Sequence, residues 1–184
     1  MKKENTVLYV LRISLTLLII TAVVAGLLSV VNSITAPAIA KLQAEKTQNA
    51  IETVLPGGYT EELTDFDTQN GAVTAVYKGE KGYAVNVKVA GFGGDLTMMV
   101  GVDLEGKVLG ISIISHAETA SLGSIAADQS SKGIAFRDQF VGKGGELAVT
   151  KDGGEINAIT SATITSRAVT NGVNIALACV AQLG

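Results

Sequence analysis

The longest uncharged stretch lies near the amino end. After Arg12 the next charged residue is Lys41, so Ile13 to Ala40 is 28 residues without a charge, and Ile13 to Val31 is dominated by Leu, Ile, Val and Ala. Nineteen residues of helix rise about 28 Å, enough to cross a hydrocarbon core of about 30 Å. A helix of this composition satisfies its own backbone and enters lipid at little cost. The pattern predicts a transmembrane anchor over 13–35. The rival is a cleaved signal peptide, with Ala36, Ala38 and Ala40 supplying a small-residue cleavage site. Such peptides have an apolar core of about 7–15 residues; this one is longer, so an uncleaved anchor is the expectation.

Beyond the anchor the periodicity changes. Ala38 to Val54 reads as a polar-faced helix that continues from the anchor and stops at Pro56-Gly57-Gly58. Strand-like runs follow. Val73 to Tyr77 is short. Tyr83, Val85, Val87 and Val89 alternate with Ala84, Asn86 and Lys88, a period of two. Leu96 to Val102 and Val108 to Ile114 are further apolar runs. Gly91-Phe92-Gly93-Gly94 and Asp103-Leu104-Glu105-Gly106 separate them as turns. Ile134 to Phe140 reads as a short helix. The last element is helical: Val169, Val173, Ala176, Leu177 and Val180 recur at spacings of three and four, with Ser166 ahead of them as N-cap. The expected fold is α+β: a single N-terminal transmembrane helix, then a small, mainly antiparallel sheet with packed helices. The expected division is 1–12 cytoplasmic, 13–35 anchor, 36–72 helical connector and lead-in, and 73–184 extracytoplasmic domain, with the firmest boundary near 36–45.

Charge orients the anchor. Lys2, Lys3 and Arg12 flank one end, which by the positive-inside rule stays cytoplasmic. The protein is then single-pass in the cell (inner) membrane, with its C-terminal domain outside. That outer part carries 11 basic and 16 acidic residues, net −5. The whole chain, at −3, lacks the basic surface a nucleic-acid binder needs. Aromatic residues are 4% and Trp is absent, so there is no stacking platform for single strands. One cysteine, Cys179, cannot form an internal disulfide, and no Cys–His set for zinc exists. Cys179 reads as a small core residue. No metal ligands and no catalytic side chains are expected.

Several chemical motifs fail on inspection. Val141-Gly142-Lys143-Gly144-Gly145 lacks the Ser or Thr after Lys and the upstream Gly of a phosphate loop. Gly91-Phe92-Gly93-Gly94 is not a dinucleotide fingerprint, because position 96 is Leu. No serine sits in a G-x-S-x-G elbow. His116, the one histidine, reads as structural or solvent-facing, not as part of a hydrolytic triad.

One segment invites a sharper reading. Asn157 to Val169 reads NAITSATITSRAV, between the turn Asp152-Gly153-Gly154 and the final helix. On composition it is a Ser/Thr-rich loop with a helix cap. Physically it also suits an anion. A helix start presents unpaired N–H groups and about half a positive charge. The hydroxyls of Thr160, Ser161, Thr163, Thr165 and Ser166 add hydrogen bonds, and Arg167 can pair with a phosphate.

Three ordered motifs carry a resemblance. Thr160 to Ser166, TSATITS, resembles the S/T-G-A-T motif at which FMN is joined to threonine through a phosphoester. His116 to Gly123, HAETASLG, resembles an H-x-E-T-P-G-L-G loop. Gly91 to Leu96, followed by Val100-Gly101-Val102-Asp103, is similar to a G-Y-G-G turn and the V-G-I-D after it. Together they resemble the FMN-binding domain shared by the G subunit of the Rnf ion-translocating electron-transport complex and the C subunit of the sodium-translocating NADH:quinone reductase. The compact chain is closer to the former.

The resemblance implies that Thr163 bears covalently bound FMN, installed from FAD by a separate flavin transferase with magnesium. It places Glu118, Thr119, Leu122 and Gly123 against the flavin, and Thr160, Ser161, Ala162, Thr165 and Ser166 around the attachment point. Tyr83, Phe92, Phe136 and Phe140 read as core in preference to residues flanking the ring. The resemblance further implies a redox subunit, inactive alone. It would relay electrons with other membrane and peripheral subunits between ferredoxin and NAD, coupled to export of sodium ions or protons. This sequence departs from the family pattern at Ala120-Ser121, where the family has Pro-Gly, at Ser161 for Gly, and at Asn157 for Asp. A membrane-anchored binding or assembly module without flavin, and a domain holding flavin noncovalently, are the readings of other classes.

Overall fold

A computed structural model of the chain describes residues 6–183. Lys2, Lys3 and Glu4 lie outside the described residues. The first helix, α1, is Thr6–Val54, with Pro37 inside it. The chain divides into two compact units, Met1–Glu45 and Lys46–Gly184. In the first, the described Leu, Ile and Val side chains from Leu8 to Val31 are all at least half exposed. These side chains are packed against nothing within the described residues, and the segment is long and apolar enough to cross a membrane.

The second unit has the expected α+β class. Five strands, β1 (Glu61–Leu63), β2 (Val73–Gly79), β3 (Gly82–Ala90), β4 (Asp95–Asp103) and β5 (Val108–Ser115), form one antiparallel sheet in chain order. The four longer strands follow the period-two and apolar runs. Strand β1 escapes the pattern because it has three residues, two of them Glu. Two helices follow, α2 (Ser131–Asp138) and α3 (Thr163–Ala181). Helix α2 begins three residues ahead of the expected Ile134, because Ser130 caps it: its hydroxyl accepts from Gly133 N at 3.2 Å.

Both faces of the sheet are covered. On one, Val85, Val87, Val89, Leu96, Met98 and Val100 pack against Val169, Val173, Ala176 and Cys179 of α3 in the main core, which also takes Tyr83, Phe136 and Phe140. On the other, Ala50, Ile51, Val54 and Leu55, at and just beyond the end of α1, cover Ala84 and Met99. Burying Ile51, Val54 and Leu55 contributes about 1.5–3 kcal/mol each. The approach is close. A side chain at Gly101 would collide with the Val54 carbonyl, so glycine at 101 and its cross-strand partner Ala84 leave room for the end of α1. Sheet and α3 together form the rigid wall that carries the site.

Candidate functional site

Three segments distant in sequence meet at the amino end of α3. The β3–β4 turn brings Gly91 to Gly94. The loop after β5 brings Glu118 to Gly123. The third is the start of α3. Glu118 joins them. One carboxylate oxygen accepts from Phe92 N (2.8 Å) and Gly93 N (3.4 Å), and the other accepts from the buried Thr165 hydroxyl (2.6 Å). Two glycines permit this. A Cβ at Gly91 would strike the Glu118 carboxylate, and one at Gly123 would strike it too and lie 2.6 Å from Thr165 Oγ1. At the far end of the loop Arg137 of α2 donates to the carbonyls of Ala126 (2.6 Å) and Asp128 (2.9 Å).

These segments enclose a cavity of about 320 Å³ lined by Phe92, Glu118, Thr119, Leu122, Gly123, Ser161, Ala162, Thr163, Ile164 and Thr165. Eight of the ten residues expected at the site therefore share one cavity. Thr160 is exposed and outside it. Ser166 is fully buried: its hydroxyl donates to Ala162 O (2.9 Å) and accepts from Ile159 N (3.0 Å), so it holds the backbone and faces no ligand. Two cavity residues were not expected there. Phe92, expected in the core, is 65% exposed at the cavity, and Ile164 is half exposed beside it. The turn position of Phe92, outside the strand alternation, is the signal for this in the sequence.

The start of α3 also differs from expectation. The N-cap is Ala162, not Ser166, and no described side chain caps the helix. Its first backbone bond runs from Ser166 N to Ala162 O (3.0 Å), leaving the N–H groups of Thr163, Ile164 and Thr165 directed out of its amino end. Arg167 does not serve an anion there. Its guanidinium forms a two-pronged pair with Asp152 (2.6 and 2.7 Å), and this hydrogen bonding holds the Asp152 carboxyl below the usual carboxylate range. The pair's contribution is present above the unfolded-state carboxylate pKa and is lost only as pH falls through the lower folded value. The cation beside Thr163 is Lys151, on the short 3-10 turn Thr150–Asp152: its Nζ donates to Thr163 Oγ1 at 3.1 Å. The side chain of Asn157 is exposed, while its backbone N–H and carbonyl bond the Gln139 amide at 2.8 and 3.2 Å.

Ser121 and Ser161 have φ of 61° and 64°, a left-handed conformation. Both stand where the related motifs carry glycine. A side chain there costs roughly 1–2 kcal/mol, while glycine adds roughly 0.5–1 kcal/mol of unfolded-state entropy. Ser121→Gly and Ser161→Gly are each expected to stabilise the fold by about 0.5–1 kcal/mol. Thermal unfolding of the full chain in detergent measures this, and a lowered midpoint for both would contradict it.

Comparison with known proteins supplies the family. Residues 91–178, which contain all three segments, match the FMN-binding domain family. The G subunit of the Na(+)-translocating ferredoxin:NAD(+) oxidoreductase complex of Acetobacterium woodii is 34% identical over 192 residues, covering 91% of this chain and 90% of its own. The G subunit of the proton-translocating ferredoxin:NAD(+) oxidoreductase complex of Clostridium ljungdahlii is 38% identical over 169 residues, covering 87% and 86%. The chain belongs to the family of Rnf complex G subunits. The G subunit of the ion-translocating oxidoreductase complex of Photorhabdus laumondii is a further relative, 34% identical over 186 residues, covering 88% of this chain and 86% of its own.

The residues present fit an FMN. A cavity of about 320 Å³ falls at the lower end of small-molecule sites. Phe92, Leu122, Ala162 and Ile164 offer apolar surface for a flat ring. An uncapped helix start with a lysine beside it suits a phosphate.

Proposed function

We propose that this chain is a membrane-anchored electron carrier that holds FMN as a phosphoester on Thr163, within a ferredoxin:NAD oxidoreductase coupled to sodium or proton translocation. One observation supports it above the others. Thr163, at an uncapped helix start with its hydroxyl beside Lys151, lines the cavity that Glu118 and its loop border. Bound FMN supplies the chemistry, accepting and releasing one or two electrons. The protein supplies the rest. The N–H groups of Thr163, Ile164 and Thr165 neutralise phosphate charge. Phe92, Leu122 and Ile164 would offer the ring apolar surface, and the Glu118 latch fixes the loop of Thr119 and Leu122 at the cavity. Thr163 is an attachment residue, neither acid nor base.

Anchoring follows from 13–35, with the amino end on the cytoplasmic side of the cell (inner) membrane by the charge of Lys2, Lys3 and Arg12. The domain is then extracytoplasmic, where a covalent tether prevents loss of a scarce cofactor. The partners are the other members of the Rnf complex and, for maturation, a flavin transferase.

Intact mass of the chain produced with its flavin transferase tests the reading. One FMN, mapped to the peptide containing Thr163, is expected. An unmodified peptide from such material removes the covalent assignment, and colour lost on denaturation assigns the flavin as noncovalent.

A further inference from the structure

Lys151 lies twelve residues before Thr163, outside every motif that marks this family, yet its Nζ is 3.1 Å from the Thr163 hydroxyl. The placement is built. Lys151 is the middle residue of the 3-10 turn Thr150–Asp152, and that turn is fastened on both sides. Upstream, Val149 bridges to Ile156, and Thr150 N donates to Ile156 O at 2.8 Å. Downstream, Gly153 takes a φ of 86°, and a side chain at Gly154 would collide with the Ala148 carbonyl. The next residue, Asp152, grips Arg167, which sits four residues beyond Thr163 and so about one helical turn along the same face. The pair therefore locks the turn to the helix start and sets lysine and threonine opposite each other. Lys151 is exposed and, among the described residues, enters no salt bridge.

We infer that Lys151 holds the phosphoryl group during attachment of FMN to Thr163 and remains the counter-charge of the phosphoester, an inference that rests on the attachment proposed above. An ammonium donating to Thr163 Oγ1 turns that hydroxyl's proton away from itself, towards the transferase and solvent. It also favours negative charge developing on the oxygen, and it draws in the diphosphate of FAD. In the transfer, the bond from Thr163 Oγ1 to the flavin phosphorus forms and the diphosphate P–O bond of FAD breaks. AMP leaves with the bridging oxygen, and the hydroxyl proton passes to AMP or solvent. No electron moves. The product monoanion then lies between Lys151 and the N–H groups at the start of α3.

The test is the initial rate of FMN incorporation into the detergent-solubilised full chain, with FAD, magnesium and flavin transferase, read by in-gel fluorescence and mass. Lys151→Met is expected to slow it about ten-fold or more, as loss of one charge-bearing donor does elsewhere. Lys151→Arg should stay within about three-fold of wild type. Both variants should keep the wild-type unfolding midpoint, since Lys151 is exposed. Asp152→Asn, which loosens the brace and leaves the lysine, should fall between. Equal rates for wild type and Lys151→Met overturn the inference. So does a slow Lys151→Arg with a lowered midpoint in Lys151→Met, since that assigns the residue a structural role. Wild type that takes no FMN at all sinks attachment at Thr163 first, and this inference with it.

Discussion

Thr163→Ala, produced with a flavin transferase, is expected to run colourless on a denaturing gel where the wild-type band fluoresces. Four cavity residues carry hydroxyls: Thr119, Ser161, Thr163 and Thr165. Thr165 is 1% exposed and committed to Glu118. Ser161 precedes the helix in a left-handed conformation. Thr163 alone of the four stands at the first helical position beside Lys151. The loss should therefore be complete, and Thr163→Ser should restore the band because it keeps the oxygen. Stability is not the cause. Alanine is a better helix former than threonine, and no described buried group bonds the Thr163 hydroxyl, so unfolding should shift by under about 0.5 kcal/mol. A fluorescent band that persists in Thr163→Ala moves the linkage to another hydroxyl.

The second large effect concerns Glu118, whose carboxylate ties the β3–β4 turn and the start of α3 to its own loop. Glu118→Ala removes acceptors from Phe92 N, Gly93 N and the buried Thr165 hydroxyl together. A hydrogen bond to a charged group contributes about 1.5–3 kcal/mol, and these three share one carboxylate, so the total is about 3 kcal/mol and not their sum. For a unit of this size that lowers the thermal midpoint by roughly 6–12 °C. Glu118→Gln keeps one acceptor oxygen and should lose about half as much. Thermal unfolding of the full chain in detergent separates the variants. A shift under about 2 °C in Glu118→Ala would mean that the loop is held by other contacts. The same variant should retain labelling at Thr163, because the hydroxyl and Lys151 do not depend on Glu118, while its flavin becomes more exposed to quencher.

Much of the fold was legible because it rests on local periodicity. The alternation of Tyr83, Val85, Val87 and Val89 marks β3, and the spacing of Val169, Val173, Ala176 and Val180 marks α3; all of these are buried. The same logic failed where a local rule was broken. A search for a hydroxyl ahead of the apolar repeat selects Ser166 as cap, yet α3 begins at Thr163 after an uncapped Ala162. The departure sits at the proposed phosphate, where a side-chain cap would occupy the N–H groups a ligand needs. Arg167 looked like the phosphate's cation from sequence proximity, but Asp152, fifteen residues away, claims it.

Composition and spacing alone determined that one uncharged segment is long enough to span lipid and that the rest is an α+β unit. Each of these is a property of contiguous residues; composition left the hydroxyl-rich stretch Thr160 to Ser166 as a capped loop, and the resemblance of its motif singled it out as the site of interest. Only the tertiary structure decided which groups meet there. Glu118 reaches Thr165 across 47 residues and Phe92 across 26, and Lys151 reaches Thr163 across 12. Those meetings depend on sheet register, on how α3 packs across β3 and β4, and on the Asp152–Arg167 brace. Contacts of this kind are set by the packing of distant segments, which no local pattern of residues encodes.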